Sequence, residues 1–299
     1  MHCSKSIKTS QIILYNFSVV KYNPFITTPP PGTRKGSNIM KKFIALVLAL
    51  VLIASCFAGC SKNDNTSDLA YIQAKGKLVV GITDYAPMDY KDKDGEWTGF
   101  DAELARLFAK ELGVECEFFV IADWSKKVFE LDSKNIDVIW NGMTIDEELL
   151  KTTSCSDPYV VNAQVLVMKS DKLASYTDSA SIKDLKITVE NGSAGEKTAK
   201  AAGCTNLIAV QDQGAALLEV AAGTSDACIV DITAAKAMTG AGTSYPDLGV
   251  GFSLTSENYG IGFRKGSDVT AKLNAFLDSL KANGQLQALA TKYELTLAE

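Results

Sequence analysis

The chain has 299 residues, 46% hydrophobic and 22% charged, which fits a folded globular protein and excludes a disordered chain or a multi-span membrane protein. Its first 60 residues carry seven Lys/Arg and no Asp or Glu, so residues 61–299 hold 23 basic and 35 acidic residues, a net charge of −12 that would repel nucleic acid. The only histidine, His2, lies in that basic stretch, so the body has no imidazole for a Ser-His-Asp hydrolase, a Cys-His protease or most zinc sites.

In chain order, residues 1–39 match no structural element. Arg34-Lys35-Gly36 would be encoded by purine-rich codons, as a ribosome-binding site is, so translation is expected to start at Met40 and residues 1–39 to be a non-native extension. Lys41-Lys42, an apolar run over 43–54 and Ala58-Gly59-Cys60 make residues 40–60 an export signal. The run is shorter than the roughly 20 apolar residues of a membrane span. Ala58-Gly59-Cys60 resembles a lipobox, with Phe57 departing from the usual aliphatic residue, and Ile53-Ala54-Ser55-Cys56 fits the same pattern. A polar tether, 61–68, begins directly after Cys60, so Cys60 is the expected lipidation site and Cys56 the alternative. This implies an exported protein held by lipid at the outer face of the cytoplasmic membrane.

The apolar run 78–82 predicts a strand buried on both faces. Asp94-Gly95 predicts a hairpin turn between 88–91 and 96–100. Asp92-Lys93-Asp94-Gly95 only partly mimics a calcium loop, because Tyr90 occupies its first ligand position. Leu104, Phe108 and Leu112 share one face of a helix over 101–112 that stops at Gly113. Strands are expected at 116–121, 136–140 and 163–168, with a helix at 125–133. The pattern then restarts: strands at 186–189, 207–210, 227–230 and 260–264, and helices at 195–202, 213–222, 233–238, 269–283 and 285–293. Two such blocks predict two α/β lobes with largely parallel sheets, whose ligand sites lie after the carboxyl ends of strands. No metal-ligand spacing joins Cys116, Cys155, Cys204 and Cys228, so neither metal nor cofactor is expected; Cys116, Cys155 and Cys228 read as buried small hydrophobes. Export permits a disulfide, but the spacing assigns none.

Several short motifs follow one another in register: Leu78-Val79-Val80-Gly81-Ile82-Thr83-Asp84-Tyr85-Ala86-Pro87, Gly99-Phe100-Asp101, Gly142-Met143-Thr144, Ser156-Asp157-Pro158-Tyr159, Gly192-Ser193 and Asp226–Asp231, then Tyr259–Lys265. Together they resemble the polar amino-acid solute-binding family of ABC importers, over about residues 77–293. The resemblance implies a type II, two-lobed periplasmic-binding-protein-like clamp. Residues 69–160 plus 260–299 would form lobe 1 and 164–255 lobe 2, with two hinge strands near 159–163 and 256–260. It implies an ABC-transporter permease as partner, a small-molecule ligand (an amino acid or amine), a monomeric state and no catalysis.

Position by position, the resemblance implies that Tyr85 and Trp124 contact the ligand as aromatics. Gly142 and Thr144 meet its amino and carboxylate ends, Ser193 and Ala194 offer backbone N–H groups, and Asp231 pairs with its ammonium, a role that competes with capping the following helix. Relatives carry an arginine five residues after the threonine, where this chain has Leu149, and glutamine-type relatives carry a lysine where it has Glu190. Asp84, Glu190 and Asp231 would fall near the cleft, and Asn141 adds an amide. The cleft so described suits a zwitterionic or cationic ligand; Lys126 or Lys127 could instead replace the arginine. Two further classes stay open: a cyclohexadienyl or arogenate dehydratase-like enzyme on the same fold, disfavoured by the acidic cleft, and an adhesin- or receptor-type binding domain.

Overall fold

The computed structural model describes residues 67–299. The expected N-terminal extension, the signal, Cys60 and most of the tether lie outside the described residues. The described chain opens with α1 (Asp68–Lys75), capped by Ser67, whose hydroxyl accepts the Ala70 N–H at 3.0 Å. There follow β1 (Lys77–Ile82), β2 (Tyr90–Lys91), β3 (Trp97–Thr98), α2 (Phe100–Leu112) and β4 (Glu115–Val120). A 3-10 turn, Trp124–Lys126, leads into α3 (Lys127–Asp132), then β5 (Val138–Thr144), α4 (Glu147–Thr152), β6 (Thr153–Cys155) and β7 (Val160–Asn162).

A second set begins with β8 (Gln164–Lys169) and runs through β9 (Ile187–Glu190), α5 (Ala194–Ala201), β10 (Leu207–Val210), α6 (Gln213–Ala221), β11 (Ala227–Asp231), α7 (Ile232–Met238) and β12 (Leu248–Ser253). The chain closes with β13 (Glu257–Arg264), α8 (Val269–Ala282) and α9 (Gln285–Lys292).

These strands make two sheets and hence two lobes. One has the order β4-β1-β5-β13-β6, with β7 also on β13; the other has the order β10-β9-β11-β8-β12. The β1 run is apolar because both of its faces are covered. Leu78, Val80 and Ile82 join a core with α2 and α8, while Val79 joins Ile121, Leu131 and Ile136 on the opposite face. Gly81 has no room for a side chain there: a Cβ would sit 2.5 Å from Ile136 Cδ1. The second sheet is covered the same way, with Val165, Val167 and Val230 on one face and Leu166, Met168 and Ile229 on the other.

The sheets are mixed rather than largely parallel. β1 is parallel to β4 and β5, and β9 to β10 and β11, but β13 and β8 enter antiparallel to their neighbours. The chain crosses between the sheets at residue 163 and again at 254–256, and a strand arriving from the other lobe runs against the local βα units. α1 has no counterpart in the expected elements, and neither have α4, β6 and β12. Their sequences are polar or glycine-rich, and packing rather than periodicity defines them. The Asp92 segment is a turn, with the Asp94 and Glu96 N–H groups donating to the Asp92 carboxylate. Cys228 is buried as expected, but Cys116 and Cys155 are only half-buried, and it is Cys204 that joins the core; all four thiols are unpaired among the described residues.

Candidate binding site

The ends of β1, β5, β9 and β11 converge on a cavity of about 350 Å³ between the two sheets. Every residue singled out from the sequence for the cleft except Asp84 and Lys126 lines it: Tyr85, Trp124, Lys127, Asn141, Gly142, Thr144, Leu149, Glu190, Ser193, Ala194 and Asp231. Asp84 is exposed and outside the lining, because the tight turn after β1 directs Tyr85 inward instead.

The back wall is rigid. Tyr85 is buried, and its hydroxyl bonds both Thr233 and Tyr259. Gly142 lies against that ring at φ +56°, where a Cβ would approach Tyr85 Cε1 to 2.6 Å, so glycine is required for both the backbone and the contact. The Gly142 N–H donates to Asp101 at 2.7 Å, and the Tyr159 hydroxyl donates to the same carboxylate at 2.8 Å. Burial raises the Asp101 carboxyl to about 7, against the lowering effect of these donors. Asn141 is engaged with Thr83 on both sides of its amide, which ties the end of β1 to β5.

The acidic wall is the most heavily built part. Asp231 precedes α7 but its side chain does not cap that helix. It instead accepts from the amides of Asn162 (2.7 Å), Gln164 and Gln213. Asn162 and Gln164 also donate to Glu257, which accepts the Thr144 hydroxyl at 2.8 Å. Burial and the neighbouring Glu257 charge raise Asp231 to about 6, while the amide donors hold it down. Glu190 is 4% exposed, and its Oε1 has no hydrogen-bond partner among the described residues. Burial first, and then the charges of Asp231 and Asp212, push the Glu190 carboxyl well above its ordinary value.

The basic side is thinner. Leu149 is buried among Trp124, Met143 and Ile139, an apolar packing position with no charge to offer. The Ser193 hydroxyl accepts from the Glu196 N–H, and the Ser193 N–H donates to the Glu190 carbonyl at 3.2 Å, which leaves the hydroxyl hydrogen as the group Ser193 can offer. Lys127 lines the cavity with its Nζ 4.9 Å from the Trp124 ring centroid. Lys197 of α5 reaches across to Asp146 (2.7 Å) and Glu148 (2.8 Å) on the opposite lobe. The lobes also touch where Gly192 lies on Ser125; a Cβ there would fall 2.5 Å from Ser125 Cα. The two sheets thus face each other across a cavity whose mouth is crossed by a salt bridge.

Sequence reasoning missed Asp101 as the holder of Gly142, Glu257 as the second carboxylate, and the amides Asn162, Gln164 and Gln213. One signal was available: Asn162 and Gln164 interrupt the otherwise apolar stretch 160–168 at two adjacent inward positions, and buried amides in a strand require partners. Among the described residues no group of three or more His/Cys/Asp/Glu side chains could hold a metal.

The profile of the bacterial extracellular solute-binding proteins, family 3, matches residues 78–296. The arginine-binding extracellular protein ArtP of Bacillus subtilis (strain 168) is 31% identical over 85% of this chain and 98% of its own length. The L-cystine-binding protein TcyJ of Escherichia coli (strain K12) is 27% identical over 87% of this chain and 97% of its own. Among solved structures, a mutant of ArgBP from T. maritima superposes with a TM-score of 0.71 at 31% identity, covering 76% of this chain and 98% of that one. The amino acid ABC transporter substrate-binding protein AbpA of Streptococcus pneumoniae, bound to L-arginine, does so at 0.68 and 28%, covering 75% of this chain and 97% of that one.

Proposed function

The chain belongs to the bacterial extracellular solute-binding proteins, family 3, and we propose that it is the capture component of an ABC importer for a basic amino acid, held at the outer face of the cytoplasmic membrane by lipid on Cys60. The single observation that carries the ligand class is the pair of carboxyls in one cavity: Asp231, locked by three amide donors, and Glu190, buried with an oxygen left without a partner. A buried unsatisfied acceptor is destabilising until something donates to it. A ligand with two cationic groups fits both, its α-ammonium at Asp231 and its side-chain head at Glu190. Trp124 and Tyr85 line the same cavity and supply apolar and aromatic surface for a long side chain. The relatives named for arginine support this reading. Closure of the two lobes over such a ligand buries it and gives a permease one defined arrangement to recognise.

A thermal-shift screen of the twenty amino acids and ornithine tests it. Arginine, lysine or ornithine should raise Tm most, with glutamine weaker and glutamate inert. A screen led by glutamate or aspartate contradicts the reading.

A further inference from the structure

The missing arginine leaves the question of how this cavity would hold a carboxylate. The Thr144 hydroxyl donates to Glu257 and the Ser193 N–H to the Glu190 carbonyl, so the Ser193 hydroxyl, a neutral donor, is left of these. Lys127, the first residue of α3, is a different matter. Its side chain is directed into the cavity, with Nζ donating to the Trp124 carbonyl at 3.3 Å and, across the lobe boundary, to the Gly192 carbonyl at 3.2 Å. No carboxylate of the described residues lies within ion-pair distance of it, although eight other Lys/Arg–carboxylate residue pairs bring their charges within 4 Å. Its two partners are neutral, and an ammonium has three donors. The same cavity holds Glu190 on the facing lobe with its unpartnered oxygen, so one ammonium and one carboxyl stand across the space without being joined.

We propose that Lys127 is the specificity-determining cation of this cavity: it receives the ligand's carboxylate in place of the arginine lost at Leu149, and so separates amino acids from amines. The inference rests on the basic-amino-acid reading and narrows it. Lys127 enters from α3, one helix earlier in the chain than the Leu149 position on α4, and both line the same cavity. An ammonium is a point charge rather than a bidentate fork, which suits a carboxylate that also has backbone N–H groups to meet near Ala194. The charge also acts against the wrong ligand. A diamine of the same length keeps both cations but lacks the carboxylate that would meet Lys127, so like-charge repulsion from that ammonium goes uncompensated and weakens its binding. The surroundings agree: burial, followed by the nearby Lys197 charge, lowers Lys127 to about 8, while Glu190, Asp146 and Glu148 act the other way, so the group is cationic at neutral pH and gains from an arriving anion.

The test is calorimetric binding at pH 7 of matched pairs (L-arginine and agmatine, L-lysine and cadaverine, L-histidine and histamine) to the wild type, Lys127→Met and Lys127→Arg. The proposal expects the wild type to prefer each amino acid it binds over its decarboxylated amine by about 30-fold or more, as removal of one member of a buried charge pair does. Lys127→Met should lose most of that preference by weakening amino-acid binding while leaving amine binding equal or stronger, and Lys127→Arg should retain it. Equal binding of acid and amine by the wild type, or an equal loss of both in Lys127→Met, overturns the proposal; if Lys127→Met does not fold, the wild-type comparison and Lys127→Gln decide. Equal binding of acid and amine overturns this inference alone, whereas amine binding with no amino-acid binding, or no binding of either, removes the basic-amino-acid reading on which it stands.

Discussion

Asp231 receives hydrogen bonds from Asn162, Gln164 and Gln213, two of which also hold Glu257, so two carboxylates share one set of amide donors. This arrangement fixes the carboxylate before a ligand arrives, and it makes binding pH-dependent. Asp231 sits at about 6, so it is protonated and a poor partner for a cation at pH 5, and ionised at pH 7.5. Affinity for a cationic amino acid should therefore rise as pH increases from 5 to 7.5. Asp231→Asn keeps the shape and removes the charge; calorimetry should show a loss of about a hundredfold, on the order of 3 kcal/mol, and a flatter pH profile. An unchanged pH profile in the variant would mean that another group carries the titration.

The strands meet the site through glycines as much as through charged side chains. Gly142 interrupts β5 at φ +56° against the Tyr85 ring, whereas Gly95, in the β2–β3 turn, has φ +83° with nothing within 4 Å of a Cβ. Both would suffer the left-handed backbone penalty as alanine, about 1 kcal/mol, but only Gly142→Ala adds a clash with a buried ring. Denaturant unfolding should show Gly142→Ala destabilised by about 2 kcal/mol or more and Gly95→Ala by about half of that or less.

The sequence was most legible in these elements. Apolar runs at 78–82 and 227–230, and the glycine after α2, marked strands and a helix end because each reflects local periodicity or backbone freedom. The mixed sheets were not legible, since strand direction at β8 and β13 is set by where the chain crosses between lobes. The site was legible where a side chain projects from or just beyond the end of a strand, as with Tyr85, Glu190 and Asp231, and at Gly142 in β5, where only glycine fits. It was not legible where a residue acts through a distant partner, as Asp101 does through Gly142 and Glu257 through Asn162 and Gln164. Lys127 was visible only as one of two adjacent lysines, and the tertiary fold distinguishes them: Lys126 is exposed, while Lys127 faces the cavity.

On the scale of the whole molecule, buried carboxyls with raised pKa values tie stability to pH. Asp101 at about 7 and Asp231 at about 6 bind a proton more tightly folded than unfolded, and Glu190 and Asp89 are shifted the same way by burial. Stability from these groups is present while they are protonated and declines as pH rises from about 4 through 7. The ligand-free protein should thus melt lower at pH 8 than at pH 5.5, by about 5 °C or more, and a cationic ligand should reduce the difference by stabilising the ionised forms. The contact of Gly192 with Ser125 gives a complementary expectation. Gly192→Ala should weaken binding more than it lowers the ligand-free melting temperature, because the added Cβ obstructs the approach of one lobe to the other.

The most direct test of a cavity built for a cationic amino acid is calorimetric titration of the purified protein at pH 7.5 with L-arginine and, separately, L-glutamate. The arrangement of Asp231, Glu190 and Glu257 predicts micromolar or tighter binding of arginine and no measurable heat with glutamate. Tighter binding of glutamate than of arginine, or no binding of any cationic amino acid, would contradict it.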